Sequence, residues 1–290
     1  MRALRDLVAE ELLQPVDPRV RAMAAAIAAK YPKAARAVLF YGSCLREKQL
    51  DGLMLDFYLI VSSYRQAYGA SWLAAANRLI PPNVFYFEHE GLVAKFAVLS
   101  ESDFAHECSP EAWTVSTAAR FAQPSRMPWS VDAAAAKRVI EIVSQAAPTL
   151  LGWTLSVAPD GVSKVDLWKR AFQLTFGAEL RAERNDRSGQ IVDADHVRYE
   201  RMAAATQSLI NDREADGPRW WRAKQRKGKL YSIVRLAKAS ATFAGGADYI
   251  AWKINRHAGT AIVLKPWQRR WPLLAAISLL PRLLRSGAVR

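Results

Sequence analysis

Two short apolar runs near the N-terminus constrain this chain most. Ala37-Val38-Leu39-Phe40-Tyr41 and the run from Leu53 to Val61 are rich in β-branched and aromatic residues. Turn chemistry bounds them, with Gly42-Ser43 after the first and Asp51-Gly52 before the second. Residues of this kind pack on a pleated surface, so both runs read as strands. Helical spacing of apolar and small residues predicts helices near 3–14 and 18–30, the second behind the start signal Asp17-Pro18. A further helix is expected near 68–79, ended by Pro81-Pro82-Asn83, and then a hairpin of Val84–Phe87 with Leu92–Leu99 around His89-Glu90-Gly91. From Ser100 onward the pattern turns helical, with candidates at 111–121, 130–149, 164–183 and 193–213. The class implied is α+β, with a second part made of helices.

Of the 290 residues, 51% are apolar, enough to bury one large or two modest cores, which excludes a disordered chain. Cys44 and Cys108 are too few for a disulfide framework, and no C-x-x-C or Cys/His cluster offers a zinc site, so a reducing compartment is expected. The first residues carry charge at Arg2, Arg5, Asp6, Glu10 and Glu11 and lack the apolar core of an export signal. The late stretch from Pro272 to Pro281 is about half the ~20 residues a membrane-spanning helix needs.

Charge is unevenly spread. Residues 217–290 hold 16 of the 41 Lys and Arg against the single acid Asp248, and the preceding residues balance 25 bases with 26 acids. A near-neutral body with a basic segment implies an anionic partner: nucleotide phosphates, nucleic acid or a lipid surface.

Chemistry is concentrated where the two strands meet. A strand, then Gly42-Ser43, a short helix, and a strand bearing Asp56 is the layout of a nucleotidyltransferase site. The glycine lets the backbone approach a triphosphate, and Ser43 with nearby backbone N–H groups binds its oxygens. The strand carboxylate holds Mg²⁺. The usual second carboxylate two residues away is absent, because Met54 and Tyr58 flank Asp56. Asp51 and Glu88 are therefore the candidates to complete a metal site. Lys95, on the second hairpin strand, is a candidate fixed positive charge for the triphosphate. No Gly-x-Ser-x-Gly elbow supports a serine nucleophile, and His89, His106, His196 and His257 are expected to be structural.

From residue 38 to about 128 the chain resembles the mitochondrial-type phosphatidate cytidylyltransferases, the translocator assembly and maintenance family. The likeness rests on Phe40-Tyr41-Gly42-Ser43, Met54-Leu55-Asp56-Phe57, Asn83 to Phe87 and Ala94-Lys95-Phe96 to Ser100. It also rests on Trp113 with Ala119-Arg120-Phe121-Ala122-Gln123-Pro124. Cys44 stands where the family's turn continues with glycine, and Gln123 where it has lysine. The expected organisation is a polymerase-β-like nucleotidyltransferase domain over 1–105, a helical domain over 106–216 and a basic helical C-terminal segment over 217–290, with the resemblance bearing on the first of these and the start of the second. The resemblance further implies Mg²⁺-dependent transfer of a cytidylyl group from CTP to phosphatidic acid, with Tyr41, Gly42, Ser43 and Lys95 on the nucleotide and Asp56 on the metal.

The basic segment interleaves Trp220 and Trp221 with Arg219, Arg222, Lys224, Arg226, Lys227 and Lys229, a composition that suits a lipid headgroup layer or nucleic acid. Lys265 to Arg285 combines border tryptophans, a leucine-rich body and arginine at both ends, as interfacial helices do. Arg235, Lys238, Lys253 and Arg256 are candidates for a substrate headgroup. The expected location is cytoplasmic, peripheral on the inner face of the cell membrane. The rival readings are a nucleotidyltransferase acting on RNA or a small molecule, and a non-catalytic adaptor on a degenerate transferase fold.

Overall fold

The computed structural model describes residues 1–47, 49–178, 187–210, 217–242 and 263–270. Strands β1 (Ala35–Tyr41), β2 (Met54–Val61), β3 (Asn83–His89), β4 (Leu92–Ser100) and β5 (Ser125–Ser130) form one sheet in the order β3-β4-β2-β1-β5. The β2–β4 pair is parallel and the others are antiparallel. The α+β class is as read from the sequence, and so is the connection from strand through the Gly-Ser turn and a short helix to the next strand.

Side-chain alternation along the strands sends residues to two helical layers. Val38, Phe57, Leu59, Val61 and Val98 pack with Val20, Met23, Ala24 and Ile27 of α2 (Pro18–Ala29). That helix starts where expected, with Asp17 accepting a hydrogen bond from the Arg19 N–H and Pro18 at the first helical position. Leu39, Tyr58, Ile60 and Leu99 point the other way, into a core built with α1 (Arg2–Leu12) and the later helices. β2 lies between both layers, which is why its last five residues are all buried.

Three sequence expectations need correction. The region after Ser100 is not purely helical, because β5 extends the sheet alongside β1. Pro128 hid it: proline cannot donate to a ladder and is confined to edge strands, and β5 is an edge with an irregular register between Val38 and Phe40. α3 is the short helix Ser43–Glu47, and the helix expected near 68–79 is replaced by two, α4 (Tyr64–Tyr68) and α5 (Trp72–Leu79). Gly69 ends α4 at φ 65°, a conformation that favours glycine. The helix expected at 130–149 breaks at Ser144-Gln145 into α6 and α7's successors: with α6 Glu101–Cys108 and α7 Ser116–Phe121, these are α8 (Ala133–Val143) and α9 (Ala146–Leu155).

One buried cluster runs from Leu4, Val8 and Leu12 through the sheet to Phe104, Phe121, Leu150, Trp168 and Tyr199. Trp168 belongs to α10 (Lys164–Phe176) and Tyr199 to α12 (His196–Thr206), which follows α11 (Arg187–Asp193).

The basic segment opens as one helix, α13 (Gly217–Thr242). Its tryptophans do not project outward as the interleaved pattern implied. Trp221 is buried and donates from Nε1 to the Trp153 carbonyl at 2.9 Å, and Trp220 packs on Trp153 at 5.5 Å. Gly228 lies so close to α10's end that a Cβ would sit 2.4 Å from the Ala178 carbonyl oxygen. Burial of these groups docks the helix on the body and leaves Arg219, Arg222, Arg226, Lys227 and Lys229 exposed. Among the described residues no helix is long and apolar enough to cross a membrane. The stretch 271–285, and Lys253 and Arg256, lie outside the described residues.

Candidate active site

The sheet itself brings the central residues together. Tyr41, the last residue of β1, is the register partner of Asp56 on β2, and Asp56 is the partner of Lys95 on β4. All three therefore face the same side of the sheet as Tyr58, Ile60 and Leu99, towards α1 and the later helices. Lys95 Nζ stands 3.0 Å from Asp56 Oδ1, and the Asp56 side chain is 19% exposed. Oδ1 is buried and accepts no hydrogen bond, so the contact with Lys95 is an ion pair without hydrogen-bond alignment.

The chain turns over this carboxylate. Gly42 adopts φ 95°, and a Cβ built there would stand 2.8 Å from Asp56 Oδ2. Only glycine combines that backbone with that approach. Ser43 follows as the first residue of α3, half-buried beside the turn. Cys44, which replaces the glycine of the resembled family, is buried and donates from Sγ to the Met54 carbonyl at 3.5 Å, tying α3 to the start of β2. The cysteine thus anchors the turn from beneath.

The two expected auxiliary carboxylates are elsewhere. Asp51 is exposed and pairs with Arg19 Nη1 of α2 at 2.9 Å. Glu88 shares the face of Asp56, but it pairs with Val93, which pairs with Met54. It is two strands away, roughly 10 Å across the sheet at ordinary strand spacing. There it accepts a hydrogen bond from the Tyr86 hydroxyl. Among the described residues no three His, Cys, Asp or Glu gather into a metal-holding group.

Arg120 is a residue of this face that nothing in the order of residues alone marks as part of the site. Arg120 of α7 reaches over the same face, where Nη1 donates to the Tyr58 hydroxyl at 2.7 Å. Its guanidinium carbon stands 5.4 Å from the Tyr41 ring centroid and 5.8 Å from that of Tyr58. The nearest signal is the parity of β2, since Tyr58 lies two residues from Asp56 on the same face.

Arg235 and Lys238 do not reach the Asp56 carboxylate. Arg235 donates from Nε to the Pro81 carbonyl at 2.7 Å, and Lys238 donates to the Ile80 carbonyl, clasping α13 to the segment before β3. Burial, and then the neighbouring Arg235, pull the Lys238 pKa down to about 7. In the unfolded chain this ammonium keeps its proton to about pH 10.4. Between those values the unfolded state binds more protons, so the cost of burying this group is full below about pH 7 and is relieved as pH rises from about 7 to about 10. Wild type should therefore gain stability relative to Lys238→Met as pH increases from 7 to 9, read from urea midpoints. Curves that stay parallel over that range would contradict it.

No family model matches the chain, and no curated protein matches it. Among solved structures it is similar to a nucleotidyltransferase-like protein from Exiguobacterium sibiricum 255-15, at 10% identity and a TM-score of 0.27, over 92% of this chain and 90% of that one.

Proposed function

We propose that the protein is a Mg²⁺-dependent nucleotidyltransferase that moves a cytidylyl group from CTP to phosphatidic acid, forming CDP-diacylglycerol and releasing pyrophosphate. The observation that carries the transferase reading is the Gly42 backbone pressed against the Asp56 carboxylate, with Lys95 on its other side. A turn without a side chain, a strand carboxylate and a fixed cation are the parts that phosphoryl transfer needs. The choice of CTP and phosphatidic acid rests on the resemblance of residues 38 to about 128 to the phosphatidate cytidylyltransferases. The exposed bases of α13 suit the anionic membrane surface where such a lipid is met, on the inner, cytoplasmic side.

Asp56 fits a Mg²⁺ ligand: Oδ1 is buried without a hydrogen bond, and Mg²⁺ is commonly held by one or two carboxylates with substrate phosphates and water. Asp56 would hold the ion, which would neutralise charge on the leaving phosphates. Gly42 and Ser43 would take the triphosphate oxygens, and Lys95 would add positive charge.

In the reaction a phosphate oxygen of phosphatidic acid attacks the α-phosphorus of CTP. The bond from that phosphorus to the bridging oxygen breaks, and its electron pair leaves with pyrophosphate. The attacking monoester is already anionic, so no general base is required, which agrees with a site built from Asp56, Lys95 and tyrosines.

A second reading, a non-catalytic adaptor on a transferase fold, draws on the finding that neither Asp51 nor Glu88 joins Asp56. Pyrophosphate release measured with Mg²⁺ and each nucleoside triphosphate, with and without phosphatidic acid micelles, separates the readings. The expected result is release that needs CTP and phosphatidic acid together. Release with RNA or a small molecule instead would reassign the acceptor, and no release with any nucleotide would favour the adaptor.

A further inference from the structure

A cavity opens at the end of the sheet remote from Asp56. Val61 of β2 and Ser100 of β4 are register partners at the carboxyl ends of the parallel pair, five residues beyond Asp56 and Lys95. At ordinary strand rise that is roughly 17 Å away. Parallel strands leave a crevice outside their carboxyl ends, where the chain turns into helices. Here it has a volume of about 690 Å³, and Arg65, Ser71, Arg78, Ser102 and Asp103 are among the residues that line it. That size is usual for a small-molecule pocket.

The lining is polar and its charge is unbalanced. Arg65 of α4 and Arg78 of α5 are exposed, and neither guanidinium makes an ion pair or hydrogen bond among the described residues. Two guanidiniums on one cavity repel each other until an anion joins them, and their forked N–H donors match phosphate oxygens in pairs. Ser71 Oγ is buried and has no hydrogen-bond partner among the described residues, so the protein itself leaves this polar atom unsatisfied. Asp103 is the one acid of the lining. The Tyr64 hydroxyl donates to one of its oxygens, and the lone pairs that remain accept from hydroxyl groups but not from phosphate. A ligand with phosphate at one end and hydroxyls at the other uses both the arginines and this carboxylate.

We infer that this cavity binds a phosphomonoester that also carries hydroxyl groups, with the phosphate on Arg65 and Arg78 and a hydroxyl donating to Asp103. The site is independent of the transferase reading, since none of these residues belongs to the group around Asp56. A free polyol phosphate and a phosphorylated lipid headgroup share this chemistry, and the test has an arm for each.

The experiment is calorimetric titration of the full chain with glycerol 3-phosphate, the smallest such ligand, and with inorganic phosphate and glycerol. A second arm is co-sedimentation with phosphatidylcholine vesicles, with and without phosphatidylinositol 4-phosphate. Both are run on wild type, Arg65→Ala, Arg78→Ala, the Arg65→Ala/Arg78→Ala double variant, Asp103→Asn and Lys95→Ala. Glycerol 3-phosphate should bind more tightly than phosphate, and glycerol should not bind measurably. Losing either arginine should weaken binding about tenfold, as loss of a charged hydrogen-bond donor does, and losing both should abolish it. Asp103→Asn should keep phosphate binding and narrow the preference for glycerol 3-phosphate about threefold to tenfold. A merely structural aspartate would change both ligands alike. The arginines are exposed, so their variants should fold, which thermal melts check.

Arginine-dependent binding of free glycerol 3-phosphate assigns a soluble ligand, and arginine-dependent sedimentation that needs phosphatidylinositol 4-phosphate assigns a headgroup. Binding that survives in the double variant but is lost in Lys95→Ala would place the phosphate beside Asp56 and overturn the inference. So would wild type that binds neither glycerol 3-phosphate nor the phosphorylated vesicles. Asp103→Asn with the wild-type preference would overturn the hydroxyl contact. Pyrophosphate release should be unchanged in the double variant, and its absence in wild type would count against the transferase reading while leaving this site in place.

Discussion

Asp56→Asn should lose pyrophosphate release by about a thousandfold or more, equivalent to roughly 4 kcal/mol of transition-state stabilisation. The amide is close in size to the carboxylate, but it is neutral and a poor ligand for a hard cation. Folding should be retained. The lost ion pair has a Lys95 side chain that is 45% exposed, and pairs of that kind contribute about 1 kcal/mol or less. Gly42→Ala attacks the same geometry from the backbone. Its φ of 95° strains a residue with a Cβ, and that Cβ would stand 2.8 Å from Asp56 Oδ2, so either the turn or the carboxylate must shift. Turnover should fall in Gly42→Ala as well, with the melting temperature lowered only modestly. Rates are read from pyrophosphate release and folding from circular dichroism melts. An Asp56→Asn protein with wild-type turnover would remove Asp56 from the reaction.

The largest stability effect is expected far from that site, at Glu11. Arg198 of α12 and Glu11 of α1 form an ion pair in which the side chains are only 10% and 14% exposed. Arg198 Nη2 donates to Glu11 Oε1 at 3.1 Å, Nε donates to Oε2, and Nη1 donates to the Ala122 carbonyl at 3.0 Å. Burial opposes the Arg198 charge, and the Glu11 carboxylate more than offsets it, leaving the guanidinium pKa raised. Glu11→Ala leaves that guanidinium buried and unpaired, which costs about 3–5 kcal/mol. At the 2–4 °C per kcal/mol usual for large domains, the melting temperature should drop by roughly 10 °C. Replacing both partners with leucine should cost less than either single change, because no charge is then stranded. A Glu11→Ala protein that melts within a degree of wild type would refute the assignment.

Much of the site was legible in the order of residues. A strand alternates its side chains every second residue, so the parity of Tyr41, Asp56 and Lys95 follows once three strands pair in register. Gly42 was readable because a turn after a strand demands a conformation that side chains resist. Glu11 and Arg198 carried no such signal. Their pairing joins residues at opposite ends of the first two hundred, and spacing along the chain says nothing about such contacts. Trp220 and Trp221 misled for a related reason: bases interleaved with tryptophan look alike whether the rings meet a partner or, as here, pack on Trp153.

Local chemistry thus determined the α+β class, the Gly-Ser turn and the strand carboxylate, because turns and strand periodicity depend on neighbours in sequence. Only the tertiary structure decided which charges meet. It sent Asp51 outward to Arg19, kept Glu88 two strands from Asp56, placed β5 beside β1 and brought Arg120 over Tyr58. Those outcomes depend on how the sheet and its helical layers bury apolar surface together, and burial is a property of the whole packed chain rather than of any segment.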